Sequence, residues 1–156
     1  MLQRVVLEAR DTVNVAPDHV RQWFSELDIH PERYQFDTHG GFNFTSGSFG
    51  QIGARFRTRE RFRGILVTLH FELTDLRENG FTFRLVHPAL PVWGAFLISQ
   101  EADGAASLVL QVGEDAPQAA WFLRLPFVRP AVQHQINGEI SHIKSSIESA
   151  FPPLQP

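Results

Sequence analysis

The sequence predicts an α+β domain in which a curved antiparallel β-sheet closes around a long C-terminal α-helix, with one or two short helices after the first strand. Three observations carry this. From Phe42 to Val112 apolar and polar residues alternate in short runs separated by Gly, Asn and Asp turns, the pattern of half-buried strands. From Val132 the interval changes: Val132, Ile136, Ile140, Ile143, Ile147 and Phe151 recur three or four residues apart, a continuous apolar stripe on one helix face. A second, shorter helical pattern lies between residues 16 and 28. Strands grouped together and followed by a helix mark the α+β class rather than alternating α/β.

The elements follow in order. Residues 3–15 are rich in β-branched side chains and predict a first strand. Ala16-Pro17-Asp18 starts a helix, with Pro in the first helical position and an acid where the helix dipole favours it. Val20, Trp23, Phe24 and Leu27 share one face of that helix, and Pro31 opens a further helical turn. A strand near Phe42 to Thr45 precedes the most regular stretch, where Arg55, Arg57, Arg59, Arg61 and Arg63 occupy every second position and leave Phe56, Thr58, Glu60 and Phe62 on the opposite face. Gly64-Ile65 reads as a type II′ turn, which pairs Phe62 with Val67, Thr58 with Phe71, Phe56 with Leu73 and Arg57 with Glu72.

Asn79-Gly80 signals the next hairpin and sets Leu76 opposite Phe83. Leu73 and Leu76 reach the same face only if the strand carries an extra residue, so a β-bulge is expected near Thr74 or Asp75. Val92 to Gln100 and Ser107 to Val112 form the last two strands across Asp103-Gly104. Residues 119–125 predict a short helical lead-in broken at Pro126. The closing helix spans about 20 residues and ~30 Å, with Pro130 at its start and Pro152-Pro153 at its end.

Composition narrows the function classes. With 156 residues, 43% hydrophobic and 20% charged, the chain suits a single domain, 1–156, with a sizeable core. A net charge of −3 argues against a general nucleic-acid binder, which needs a positive field to displace phosphate counterions. Cys is absent, excluding thiolate nucleophiles, disulfides and Cys-built zinc sites. The N-terminus places Glu8 where the apolar run of a secretory signal would continue, so a cytoplasmic protein is expected. The longest stretch without Asp, Glu, Lys or Arg, residues 85–100, contains Pro88 and Pro91 and is too short to span a membrane. No metal site is expected: the 7 His residues form no ligand-spaced motif, and His134 and Glu139 are five apart, the wrong offset for one helical face. Gly47 to Gly53 lacks phosphate-loop spacing, no nucleophile elbow occurs, and no cofactor is expected.

The ordered set of elements resembles the helix-grip proteins of the START-like (SRPBCC) superfamily, which includes the polyketide cyclase/dehydrase and lipid-transport groups. The residues that carry the resemblance are Val13-Asn14-Val15-Ala16-Pro17-Asp18-His19-Val20-Arg21-Gln22-Trp23-Phe24, the Gly47/Gly50/Gly53 turn before a long strand, and the helix from His134 to Glu148 with Glu139, Lys144 and Glu148. It spans essentially the whole chain. The resemblance implies a sheet gripping the last helix around a cavity for a hydrophobic small molecule, such as a lipid, isoprenoid, polyketide or aromatic compound. It implies no particular reaction, because the superfamily mixes carriers, sensors, cyclases and oxygenase subunits.

On this frame the expected ligand-lining residues are Phe56, Thr58, Glu60, Phe62, Phe71, Phe83, His87, Phe96, Ile136 and Ile140. Glu60 shares its face with Phe56 and Phe62. A carboxylate there must be paired, hydrated or protonated, which makes it either an acid or ligand contact, or a side chain wetted at the sheet's end or bonded to Thr58. His87 has the parity of Phe81, Phe83 and Leu85 and is either a polar group projecting into the cavity or a core residue satisfied by backbone. Glu60 and His87 form an acid/base pair only if they lie within hydrogen-bond reach. Arg55, Arg57, Arg59 and Arg61 form either an anion- or partner-reading surface with a weak preference for acidic surfaces, or an ordinary solvated face. Trp23, Tyr34, Trp93, Trp121 and Phe122 are assigned to core or cavity wall. Three functions remain open: a monomeric or homodimeric binder or carrier of a hydrophobic molecule, a cyclase or dehydratase using Glu60 and His87, and a protein-interaction module using the arginine face.

Overall fold

A computed structural model describes residues 3–37 and 39–156. The chain runs β1 (Arg4–Val13), α1 (Pro17–Ser25), a 3₁₀ turn (Pro31–Tyr34), β2 (His39–Ser46), β3 (Arg55–Phe62), β4 (Ile65–Arg77), β5 (Gly80–His87), β6 (Val92–Gln100), β7 (Ala106–Glu114), a second 3₁₀ turn (Trp121–Arg124) and α2 (Val128–Ala150). All seven strands form one antiparallel sheet in the order β1-β7-β6-β5-β4-β3-β2. The expected fold, a sheet gripping a long last helix, is the observed one. Its outer turns fall into two sets by strand direction. The β3–β4 turn, the β5–β6 loop and the β7–α2 segment leave one end of the sheet; the β2–β3, β4–β5 and β6–β7 loops leave the other.

The helix stripe predicted from residue intervals is buried: Ile136, Ile140, Ile143 and Ile147 face the core. Helix α2 starts at Val128, so Pro130 lies in its first turn, where a missing N–H has no partner to lose. Polar ties hold α2 along β1. Gln133 Nε2 donates to the Glu8 carbonyl at 2.9 Å, Lys144 Nζ to Asp11 at 3.1 Å, and the Asn14 N–H to Glu148 at 2.9 Å. Helix α1 buries Val20, Trp23 and Phe24 against the same core, and the Trp23 indole N–H reaches Ser146 Oγ of α2 at 3.0 Å.

Both hairpins differ from their sequence-based register by two residues. The β3–β4 turn centres on Arg63 and Gly64, with φ of 49° and 85°, a type I′ arrangement rather than type II′ at Gly64-Ile65. Phe56 therefore meets Phe71, Thr58 meets Leu69, and Arg55, not Arg57, meets Glu72, at 3.0 Å. A shift of two preserves which face each side chain occupies, so the apolar pattern alone does not separate the two registers. The next turn centres on Glu78 and Asn79, pairing Leu76 with Phe81. Gly80 then sits at φ 151° where a Cβ would lie 2.0 Å from the Phe96 carbonyl oxygen, so a glycine is required there. The expected bulge is present at Thr74, between the Leu73–Phe83 and Asp75–Thr82 pairs.

A buried carboxylate fixes the link from β7 to α2. Glu114 is fully buried and accepts a bidentate contact from Arg124 together with the backbone N–H groups of Gln118 and Ala120, each at 3.1 Å. The Arg124 bond, against the cost of burial and with those N–H groups, holds its carboxyl down at about 2. The stability this contributes is present above the ordinary value of 4.5 and lost as pH falls toward 2. Thermal melts of Glu114→Gln across pH 2 to 7 are expected to show a lower midpoint than wild type at neutral pH and a flattened acid limb. A wild-type acid limb kept intact in the variant would remove Glu114 as its source.

Candidate functional site

The concave face of the sheet and α2 enclose a cavity of about 230 Å³. This is just below the ~300–1,000 Å³ usual for small-molecule pockets. Of the 14 Phe residues, 11 line it: Phe24, Phe42, Phe44, Phe49, Phe56, Phe62, Phe71, Phe81, Phe83, Phe96 and Phe122. All but Phe62 and Phe122 pack against one another, edge-on, tilted or stacked, at centroid separations from 4.9 Å (Phe24–Phe96) to 6.5 Å (Phe24–Phe49). The unusual Phe content is thus the material of one wall.

Eight of the ten expected lining residues reach the cavity: Phe56, Thr58, Glu60, Phe62, Phe71, Phe83, Phe96 and Ile136. Ile140 does not; at 2% exposure it lies in the core behind the wall. His87 does not either. It is exposed on the outer face beside His70, ring centroids 5.7 Å apart. The reason is a second irregularity in β5: His70 pairs with His87 but Phe71 pairs with Leu85, so Val86 is an extra residue and reverses the face of the one after it. The Glu60–His87 acid/base pair is therefore not formed. Trp121 is also corrected, being 62% exposed, whereas Trp23, Tyr34, Trp93 and Phe122 lie in the core or wall as expected.

Glu60 instead meets Thr58, which was expected beside it, and His39, which was not. Its Oε1 accepts from Thr58 Oγ1 at 2.8 Å and lies 3.2 Å from His39 Nε2, close enough for an ion pair but not aligned for a hydrogen bond. The same His39 nitrogen is 4.0 Å from Glu139 Oε1, which accepts a short hydrogen bond from the Tyr34 hydroxyl. Tyr34, His39, Thr58, Glu60 and Glu139, with Gln135 beside them, form a buried polar cluster in the Phe wall. Four elements supply it. The 3₁₀ turn after Pro31 presents Tyr34, β2 and β3 present His39 and Glu60, and α2 presents Glu139.

A bulge brings His39 inside. His39 pairs with Glu60 and Gly41 with Arg59, leaving Gly40 as the extra residue; simple alternation from Phe42 and Phe44 would have turned His39 outward. The Gly40-Gly41 pair was the available signal, since glycines within a strand mark bulges. Glu139 was more legible. It stands three residues after Ile136 and four before Ile143, so it shares the buried stripe, and a carboxylate there requires partners.

The cluster's electrostatics follow from burial. Burial pushes the Glu139 carboxyl up against the opposing charge of His39; with Glu60's repulsion added and the Tyr34 bond subtracted, it stands at about 7. For His39, burial disfavours the charged ring, but the contact with Glu60 and the fields of Glu139 and Glu60 outweigh it and raise the ring above its usual 6.5. Burial, then Glu139, hold the Tyr34 hydroxyl well above its usual 10. Near neutral pH the cluster therefore holds exchangeable protons, and His39 Nδ1 is buried without a hydrogen-bond partner among the described residues. Among the described residues, no group of three His, Cys, Asp or Glu side chains is placed to hold a metal ion.

On the convex face, Arg55, Arg57, Arg59 and Arg61 are all exposed. Arg55 bonds Glu72, Arg57 bonds Asn43 at 2.8 Å, and Arg61 bonds the Gly64 carbonyl at 3.1 Å.

A single sheet closed on a C-terminal helix around an apolar cavity places the chain among helix-grip folds, and the START-like resemblance holds at the level of the fold. Solved structures with this architecture include ginseng major latex-like protein 151 from Panax ginseng, with TM-score 0.68 and 12% identity over 98% of this chain and 100% of that one. The KanY protein, solved by NMR, gives TM-score 0.71 and 11% identity over 95% and 99%. A Thalictrum norcoclaurine synthase point mutant, solved with a transition-state analogue, gives 0.67 and 7% over 96% of each chain. No family model matches the sequence, and no curated protein matches it.

Proposed function

We propose that the protein binds, and carries, a hydrophobic small molecule in the cavity between the sheet and α2, with a polar group of that molecule at the Tyr34–His39–Glu60–Glu139 cluster. The observation that carries the reading is the contrast within one cavity: a wall built from 11 Phe side chains, interrupted by one buried polar cluster. An apolar pocket with a few convergent polar groups is the usual construction of a small-molecule site. Carriage in the cytoplasm is part of the same proposal.

The test uses the neutral dye N-phenyl-1-naphthylamine. Wild type is expected to bind it saturably at one site with enhanced emission. Val112→Trp, which adds bulk to the lining, is expected to weaken binding by at least about tenfold, one tenth of the affinity being ~1.4 kcal/mol. Absence of saturable binding, or equal binding by the variant, would count against the cavity as the site.

Acid/base catalysis is a second reading, favoured by one observation: Glu139 at about 7 beside a buried imidazole. In this reading Glu139 and His39, rather than His87, act with Glu60. Material extracted from the purified protein and returned to fresh protein separates the two. An unchanged mass supports carriage; a new mass that Glu139→Gln abolishes supports catalysis.

A further inference from the structure

The end of the sheet formed by the β3–β4 turn, the β5–β6 loop and the β7–α2 segment carries a combination of side chains that cavity binding does not require. Large apolar side chains protrude there singly from the turns: Ile65 (68% exposed), Leu66 (43%), Leu90 (38%), Trp121 (62%) and Phe127 (57%). Interleaved with them are exposed arginines: Arg61 and Arg63 at the β3–β4 turn, Arg129 at the start of α2, and Arg4 at the start of β1, which pairs with the end of β7. None of these four has a carboxylate within ion-pair reach among the described residues.

The acids of the region are committed elsewhere. Glu114 is bound to Arg124, and Asp115 lies 3.8 Å from Arg84; Asp37, in the turn entering β2, is the exposed exception. The opposite end has the reverse charge, although its β2–β3 loop also exposes one large apolar side chain, Ile52. Its loops and α1 expose Asp18, Asp28, Glu78, Glu101 and Asp103, while Arg21 and Arg77 are paired with Asp18 and Asp75. A chain of net charge −3 therefore presents one basic, apolar pole.

The cavity reaches the same pole. Leu90 is the most exposed of the lining side chains, and Phe62, Phe122 and Val132 line the cavity from the turn, the β7–α2 segment and the start of α2.

We infer that this pole docks the protein on an anionic lipid surface, with Ile65, Leu66, Trp121 and Phe127 entering the interfacial layer and Arg61, Arg63, Arg129 and Arg4 meeting the headgroups. Separate apolar tips on loops, ringed by guanidinium groups, fit a fluid interface better than a preformed partner, which would need a contiguous complementary patch. Docking there opens the Leu90 side of the cavity toward the bilayer, so a hydrophobic ligand would pass without crossing water. The inference rests on the proposed cavity function only for that purpose; the docking is measured without a ligand.

The experiment is flotation with phosphatidylcholine vesicles, with and without 30% phosphatidylserine. Trp121 supplies a second readout, because Trp23 and Trp93 are buried and acyl chains labelled with bromine quench only an inserted indole. Wild type is expected to float with the anionic vesicles, to release as salt is raised, and to show quenching there; the neutral vesicles leave it in solution. Arg61→Glu with Arg63→Glu is expected to cost at least about tenfold in vesicle affinity, and Trp121→Ser with Phe127→Ser to do likewise. Arg10→Glu, at an exposed position on β1 where the arginine lies 3.7 Å from Glu8, is the control expected to change little.

Equal binding to both vesicle types, no binding to either, or insensitivity to the Arg61/Arg63 reversal would overturn the inference. Retained dye binding in the pole variants shows that they are folded and separates a failure of docking from a failure of the cavity reading. Co-purification with an acidic protein in the absence of vesicle binding would assign the pole to a protein partner and overturn the lipid assignment.

Discussion

Glu139→Gln is expected to make the protein more stable at pH 8, by up to about 3 kcal/mol, and to remove most of its pH dependence between 4.5 and 7. In the unfolded chain this carboxyl ionises near 4.5, whereas in the fold it keeps its proton to about 7. Between those values the folded state holds the extra proton. Wild type therefore loses stability as pH rises through the window, and the full penalty stands above it. Glutamine has no proton to lose and still offers the Tyr34 hydroxyl an amide oxygen.

His39 acts in the same direction. Its raised pKa contributes stability that is complete below 6.5 and lost as pH rises through the higher folded value. With Glu114 governing the acid side and Glu139 the window above 4.5, wild-type stability is expected to peak near pH 4.5 and to decline from there toward pH 8. Urea titrations at pH 5 and pH 8 provide the measurement. If wild type and Glu139→Gln change in parallel between the two, Glu139 does not hold a proton in the fold. A carboxylate held at this expense inside an apolar wall supports the proposed role of the cluster as the polar end of the cavity.

Trp23→Ala is expected to cost ~3–5 kcal/mol, among the largest losses a single truncation in this core produces. The side chain is fully buried, donates to Ser146 of α2, and packs edge-on against Phe24 at 5.0 Å and obliquely against Tyr34 at 6.0 Å. Its removal opens a void between α1 and α2 and leaves Tyr34 without its support above Glu139. Trp23→Phe retains most of the volume but loses the Ser146 bond, and is expected to cost about 1–2 kcal/mol. Chemical denaturation of both variants checks the order. Dye titration of Trp23→Phe, where the fold survives, tests whether the cluster depends on this packing. Equal losses for the two variants would assign the effect to the hydrogen bond and not to the void.

Much of the architecture is legible in residue intervals. The stripe from Val132 to Ile147 identifies α2 because a 3.6-residue period leaves only one face to bury. Alternation on β3 separates the arginine face from Phe56, Thr58 and Glu60, and because the side-chain period is two, the conclusion survived a register displaced by two residues. The Thr74 bulge followed from the same parity, since Leu73 and Leu76 had to share a face.

The candidate site was legible only in part. Glu60 and the Phe wall follow from alternation, and Glu139 stands on a stripe that was readable. His39 and His87 exchanged roles because each lies next to an inserted strand residue, Gly40 in one case and Val86 in the other.

Taken alone, the chain determined the two faces of its sheet, the buried side of its last helix, and hence an aromatic interior with a basic stripe on one outer strand. Those follow from short-range periodicity, which every residue in an element shares. Only the tertiary structure decided which polar groups meet inside. A bulge reverses parity for the residues beyond it, and its position depends on the pairing of neighbouring strands rather than on local pattern. That pairing turned His39 toward Glu60 and Glu139, and His87 toward solvent.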